Sequence, residues 1–295
     1  MYQKYFHLTS KPFAMNPDPD FLYPSSQHAT ALTMLEYAIE SQAPFCLLTG
    51  EIGSGKTTLL RHFLRNLDEK MTVGLISNTH RQFRSIHPWA LSSLGIAPHD
   101  DSDIAQYEAL IDFFVHEYAK GRRTLMVVDE AHNLTPAILE ELRLLSNVNS
   151  ESDLSLQVLL VGQPELRAKL AQPELEQFAQ RVSVDFHLGP LTLEDARAYV
   201  QHRLTVAGGD PSLFHPESIA FIHARTSGVP RLINQLCDLA LVYAFAERVG
   251  TIGVQLLQHV LQDRKERGAI PLFVDRSAAP PQVRAAAANL SSERG

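Results

Sequence analysis

The sequence predicts an α/β fold in which helices flank a parallel sheet and a small all-helical domain follows. Three observations carry this. Short apolar runs, bounded by turn residues, alternate with helical stretches of 10–20 residues, as a parallel sheet covered on both faces requires. One run leads directly into a glycine-rich turn and then a helix, "LLTGEIGSGKTTLL" at 47–60. After Pro190 the strand signals stop and only helical periodicity remains. With 295 residues, 45% of them hydrophobic, the chain can bury a full core. The boundaries that follow are 1–44 for an N-terminal arm and first helix, 45–189 for the α/β domain, 190–268 for the helical domain and 269–295 for a tail without core-forming pattern.

In chain order, the arm "PFAMNPDPDFLYPSSQHATAL" is rich in proline and aromatic residues, so it reads as a packed irregular segment whose apolar side chains also suit a flat ring. Tyr23 and Pro24 are the residues chosen for such a contact. Phe45–Leu48 is a continuous apolar run, a strand buried on both faces. Gly50, Glu51, Ile52, Gly53, Ser54, Gly55, Lys56 and Thr57 then match G-x-x-x-x-G-K-[ST], with Thr58 beside them. Glycines let successive backbone N–H groups turn inward around phosphate oxygens, and the next helix presents its positive end to the same anion. Lys56 can reach the outer phosphates of a nucleotide, and the Thr57 hydroxyl can ligate Mg²⁺. Leu59, Leu60, Phe63 and Leu64 recur at helical spacing, which puts the motif between strand and helix.

"MTVGLIS" (71–77) alternates as a strand. "DSDIAQYEALIDFFVHEYAKG" predicts a helix with Ile104, Leu110, Ile111, Phe114 and Val115 inward, Asp101 or Ser102 as cap and Gly121 as stop. "TLMVVDEAH" (124–132) is a second buried strand closed by two acids. At a strand tip beside the phosphate loop, Asp129 suits the Mg²⁺ water shell and Glu130 suits a general base for an attacking water. His132 follows in the loop, where no other His or Cys has ligand spacing, so it reads as a loop or supporting residue. "LQVLLVGQP" (156–164) is a third buried strand. Gln163 at its tip either touches the terminal phosphate and the water or simply opens a turn. "VSVDFHL" (182–188) closes the sheet. Helices follow over 192–207, 215–226, 230–247 and 253–266, the third with an apolar stripe of Leu232, Ile233, Leu236, Leu239, Ala240 and Tyr243.

Composition excludes some classes. The net charge of −7 provides no basic field for nucleic acid or anionic lipid. The two cysteines, Cys46 and Cys237, lie in apolar runs and read as core residues in a reducing compartment. "MYQKYFHLTSKPF" has no signal-peptide core, and no run reaches the roughly 18 apolar residues of a membrane span. A cytoplasmic location without membrane insertion is expected.

The order of P-loop, "VVDEAH", "GQPEL", "QR" before a strand and "GVPR" resembles an AAA+ ATPase. Together with "YFHLTSKPFAMNPDPDFLYPSSQHATAL" it resembles the ExeA group, the ATPases of general secretion pathway protein A, over about residues 1–268. That group is similar in turn to the MuB and TniB transposition ATPases and the origin-recognition ATPases. The resemblance implies ATP and Mg²⁺ as ligands, hydrolysis to ADP and phosphate, a helical lid, and a homo-oligomer. It also implies that Arg181, before the last strand, acts on the neighbouring subunit's nucleotide, with Arg167 the competing residue, and that Arg231 in "SGVPR" senses nucleotide from the lid. Nucleotide-dependent assembly would drive a protein partner in secretion, envelope or polysaccharide export. The alternatives are a DNA-associated transposition-type ATPase and, less well matched to the intact Lys56, Asp129 and Glu130 set, a non-hydrolysing nucleotide-gated scaffold.

Overall fold

A computed structural model describes residues 1–77, 84–98, 100–148 and 156–267; the expected tail at 269–295 lies outside them. Five strands form one parallel sheet in the order β2-β3-β4-β1-β5, with β1 Phe45–Gly50, β2 Met71–Ile76, β3 Arg123–Val128, β4 Leu156–Gly162 and β5 Val182–Leu188. The three central strands are the runs of unbroken apolar residues, because both their faces are covered. Period-2 alternation sends Phe45, Leu47, Met126 and Val128 into one core and Cys46, Leu48, Leu125 and Val127 into the other. The edge strand β2 is less buried, and its Leu75 is 42% exposed.

The second core is closed by α2 (Ser26–Glu40) and α3 (Lys56–Arg65) through Leu35, Leu59, Leu60 and Phe63. The first is closed by α4 (His87–Leu94), α5 (Asp103–Ala119) and α6 (Pro136–Leu145). Helix α5 starts at a Ser102 N-cap whose hydroxyl accepts from the Ala105 N–H at 3.2 Å. Its buried stripe is narrower than the sequence predicts. Leu110 and Phe114 are fully buried, but Ile104 and Val115 are 72% and 54% exposed, since at 100° per residue they fall on the far side of the helix.

Beyond the short α7 (Glu165–Leu170) and α8 (Glu176–Ala179), four helices build a separate bundle: α9 Leu193–Val206, α10 Pro216–Thr226, α11 Pro230–Glu247 and α12 Val254–Arg267. Its core takes in Ile233, Leu236, Cys237 and Ala240 of α11. It also takes in Tyr2, Phe6, Leu8 and Phe13, so the first thirteen residues, including α1 (Tyr2–Tyr5), pack on the bundle while α2 packs on the sheet. The Thr9 N–H donates to the Ala207 carbonyl at 2.8 Å and the Arg203 guanidinium donates to the Pro12 carbonyl. Residues 14–25 therefore bridge the two layers, across the mouth of the phosphate loop. Among the described residues no helix is long and apolar enough to cross a membrane.

Candidate nucleotide site

In a parallel sheet all carboxyl ends point one way, so residues that follow different strands can meet. Register pairs Thr49 of β1 with Gly162 of β4, and Val128 of β3 with Leu160 of β4. The loop beginning at Gly50, the acids Asp129 and Glu130, and Gln163 thus emerge along one edge. Glu130, Gln163 and the loop residues Ile52, Gly53, Gly55, Lys56, Thr57 and Thr58 line a single cavity of about 190 Å³. The arm, with Tyr23, and the bundle, with Arg231, close its other sides. Pro24 is not among the lining residues, although Tyr23 is.

The phosphate loop is shaped by backbone that needs glycine. Gly53 and Gly55 have φ of +80° and +102°, in the left-handed region. A Cβ on Gly55 would lie 2.8 Å from Nε2 of His28, which stands beneath the loop on α2. Gly50, Glu51 and Ser54 are not among the residues that line the cavity. Lys56 donates through Nζ to the carbonyls of Gly50 (2.7 Å) and Glu51 (2.9 Å), the only acceptors it reaches among the described residues. Ser54 Oγ is buried with no hydrogen-bond partner among the described residues. Ile52 is 60% exposed and offers the loop its backbone. A cation 7% exposed, held only by carbonyls over an open glycine turn, fits an incoming polyphosphate.

Electrostatics agree. Burial pushes the Lys56 ammonium below the usual lysine range, opposed by the carboxylates of Glu130 and Asp129. Burial raises the Asp129 carboxyl, and its Oδ1 accepts from the Glu130 N–H at 2.9 Å. Thr57 lines the cavity, whereas Asp129, just past β3, is not among the lining residues; a hydroxyl and a carboxylate are the oxygen donors that would suit Mg²⁺, an ion that keeps several waters and takes the rest of its shell from phosphates. No cluster of three or more His, Cys, Asp or Glu occurs among the described residues, so an all-protein metal cage is not built here.

Glu130 sits at φ +55°, a left-handed conformation rare for a non-glycine, and this aims its side chain into the cavity. Its Oε2 lies 3.3 Å from Nδ1 of His132, and Nε2 of the same ring lies 2.9 Å from the Gln163 amide nitrogen. The loop histidine is therefore a bridge between two site residues. Arg231 also meets the loop, since its backbone N–H donates to the Gly53 carbonyl at 3.2 Å from the first turn of α11.

The two other arginines stand elsewhere. Arg181 precedes β5 at the amino end of the sheet, about 20 Å of strand from Gly50. It donates to the Arg143 carbonyl (3.1 Å), Ser146 Oγ (2.6 Å) and Asn147 Oδ1 (2.8 Å) of its own chain. Arg167 donates from Nε to Asp185 at 3.0 Å. Sequence reading missed His28, and it missed Tyr199, Arg203 and Asn234 on the bundle wall of the cavity. Asn234 left a signal, being a polar residue one turn beyond Arg231 within an apolar stripe.

Residues 39–170 match the family described as "AAA domain". Over 247 residues the chain is 39% identical to general secretion pathway protein A of Aeromonas hydrophila, an alignment covering 83% of this chain and 45% of that protein. The chain thus spans about half the length of the curated relative it matches. Similar solved structures include the ORC2 protein of Aeropyrum pernix (TM-score 0.62, 15% identity, 86% of this chain and 71% of that one). Cdc6p of Pyrobaculum aerophilum (TM-score 0.63, 16%, 87% and 71%) is a second. The RuvB branch-migration motor of Thermotoga maritima (TM-score 0.51, 17%, 90% and 82%) is a third. At these identities the structural likeness speaks to the fold, which is the AAA+ fold.

Proposed function

We propose, from the premise that this chain is an AAA+ P-loop protein related to general secretion pathway protein A, that it binds ATP and hydrolyses it to ADP and phosphate. The observation that carries this is the convergence of Lys56, Glu130 and Gln163, from the ends of three strands, on the cavity that the glycine loop opens. The loop amides and Lys56 hold the phosphates, and Thr57 and Asp129 would hold Mg²⁺, which would offset the charge on them. Glu130 accepts a proton from the attacking water, Gln163 orients that water or the terminal phosphate, and Arg231 reads the nucleotide from the bundle side. Arg181 completes the site of a neighbouring copy, so turnover needs a homo-oligomer. The assembled form drives a protein partner of a secretion or export system from the cytoplasmic side, without inserting in the membrane.

Two variants test the chemistry together. Lys56→Ala should lose most ATP affinity in a titration, because it removes the loop's side-chain cation. Glu130→Gln should bind ATP as the unaltered protein does and fail to turn it over, since an amide can hold a water but cannot take its proton. Affinity within twofold of the unaltered protein for the first, or unaltered turnover for the second, refutes the assignment. Turnover strongly stimulated by duplex DNA would favour the DNA-associated alternative.

A further inference from the structure

The structure assigns Asn234 as the residue that reads the nucleobase, with Tyr199 and Arg203 holding its amide one way round; the inference deepens the nucleotide-binding reading above and rests on it. Tyr199 and Arg203 of α9 and Asn234 of α11 all line the cavity. Arg203 Nη1 donates to Tyr199 Oη at 2.9 Å, and that hydroxyl donates to Asn234 Oδ1 at 2.8 Å. The first of these bonds cannot reverse, because a guanidinium only donates. Burial pushes the Tyr199 phenol up, so it keeps the proton that it gives to Asn234. Were the amide turned over, its NH₂ would face the hydroxyl oxygen, and the buried O–H would have no acceptor among the described residues. Oδ1 therefore faces Tyr199, and the NH₂ points away from it.

That NH₂ opens on the cavity. Asn234 is 7% exposed, and its NH₂ meets no acceptor among the described residues, yet it is not sealed from solvent. The place it faces suits a flat ring more than a phosphate. Asn234 stands three residues, about 4.5 Å, along α11 from Arg231, whose N–H bonds the phosphate loop. The bonded chain that ends at Asn234 backs on the aromatic arm. Arg203 lies over the Phe21 ring at 4.9 Å, and the Tyr199 ring meets that of Tyr23 edge-on, with centroids 6.3 Å apart. A base held between arm and bundle presents its ring nitrogens as acceptors, which in adenine are N1, N3 and N7. The fixed NH₂ supplies the donor for one of them. Asn234 is thus the residue that touches the base, and Tyr199 and Arg203 are positioning residues that keep its donor forward.

Titration of the full chain with ADP and with its 1-deaza, 3-deaza and 7-deaza forms tests this, since each analogue replaces one ring nitrogen by C–H. The unaltered protein should bind at least one analogue about 2- to 12-fold more weakly than ADP, the worth of one neutral hydrogen bond. Asn234→Asp keeps an oxygen for Tyr199 and replaces the donor by an acceptor. It should weaken ADP binding and abolish the preference for that nitrogen, and comparing analogues within one variant cancels any general effect of the new charge. Tyr199→Phe leaves Asn234 in place but frees its amide to turn, and should shrink the same preference. A merely structural Asn234 would lower the melting temperature and leave the preference as it was. Equal affinity of the unaltered protein for ADP and all its analogues, or a preference that Asn234→Asp retains at every nitrogen, overturns the assignment, the first without requiring any variant to fold. A preference undiminished in Tyr199→Phe overturns the hold on the amide. Lys56→Ala binding ATP as the unaltered protein does would instead remove the nucleotide reading itself, so the two failures are distinguishable.

Discussion

Gly53→Ala tests whether the helical bundle rests on the phosphate loop when nucleotide is bound. Gly53 has φ +80°, and its added Cβ would stand 2.4 Å from the Cβ of Arg231 and 3.2 Å from its Cδ. Contacting carbons need about 3.5–4.0 Å, so α11 must retreat by more than 1 Å. That retreat breaks the 3.2 Å bond from the Arg231 N–H to the Gly53 carbonyl, a loss of about 0.5–1.5 kcal/mol. The left-handed backbone costs an alanine roughly 1–2 kcal/mol as well, but Gly53 has that backbone without nucleotide, so this cost falls on stability and not on affinity. The lost bond opposes docking of α11 on the loop by about 0.5–1.5 kcal/mol, or roughly 2- to 12-fold in ATP dissociation constant if nucleotide binds the docked arrangement. Isothermal titration with a non-hydrolysable analogue reads this directly. Gly95→Ala is the control, because Gly95 has φ +70° with nothing within 4 Å of its Cβ and is exposed to the backbone cost alone, far from the cavity. A dissociation constant for Gly53→Ala within twofold of the unaltered protein would show that the bundle does not dock on Gly53 in the bound state.

Two further outcomes follow from polar groups outside the phosphate loop. Arg122, then Thr72, hold the Glu117 carboxyl down to about 2, with Arg122 Nη2 2.6 Å from Oε1. A depressed carboxylate stabilises the fold above its unfolded value and loses that contribution as pH falls, so stability should decline from about pH 5 towards 2 through this group. Glu117→Gln should flatten that part of the chemical-denaturation profile and cost no more than about 2 kcal/mol at pH 7, since Arg122 is 40% exposed and its charge is screened. Arg203 is 7% exposed, donates to the Pro12 carbonyl and Tyr199 Oη, and lies over the ring of Phe21 at 4.9 Å. Arg203→Ala should loosen the arm and speed limited proteolysis within residues 12–24, whereas unchanged cleavage would mean the apolar anchors Phe6, Leu8 and Phe13 suffice.

Where one kind of interaction dominated, the residues announced their structure. The central strands were legible because two-sided burial forces unbroken apolar runs, and Leu156–Gly162 is buried at every position. The phosphate loop was legible because its geometry admits few residues but glycine. Other features depended on partners distant in the chain. Nothing in "SSQHATAL" places His28 under Gly55, since α2 reaches that position only by packing on the sheet. His132 read as a loop residue because its partner Gln163 lies 31 residues away, a separation that only strand register closes. The inward face of α5 was drawn too wide because both Ile104 and Val115 are apolar, and an apolar residue is free to remain in water.

Arg181 poses the sharpest choice, because its structure in a single chain is complete without a neighbour. Its three hydrogen bonds tie the strand entrance to the end of α6, and a residue so engaged could serve stability alone. The trans-acting role requires the guanidinium to leave Asn147, the most exposed of its partners, and reach a phosphate of the adjacent copy. A hydrogen bond donated by a charged guanidinium is worth about 1.5–3 kcal/mol net, whereas an arginine finger contributes on the order of 10³-fold or more in rate, about 4 kcal/mol, so giving up the one bond to Asn147 is favourable when a neighbour presents nucleotide. The two roles differ in what Asn147→Ala does. As a structural tie, its loss lowers the melting temperature and leaves turnover unchanged. As a tether on a finger, its loss raises turnover, while Arg181→Ala binds ATP and turns it over about 10³-fold more slowly. Mixing Arg181→Ala with Glu130→Gln then discriminates fully. Each is inactive alone, yet a mixed assembly contains interfaces that pair an intact Glu130 with an intact Arg181, and activity should return. If co-assembly is demonstrated by sizing and the mixture remains inactive, or if activity per chain stays constant on dilution to a demonstrated monomer, Arg181 is a structural residue and catalysis is complete within one chain.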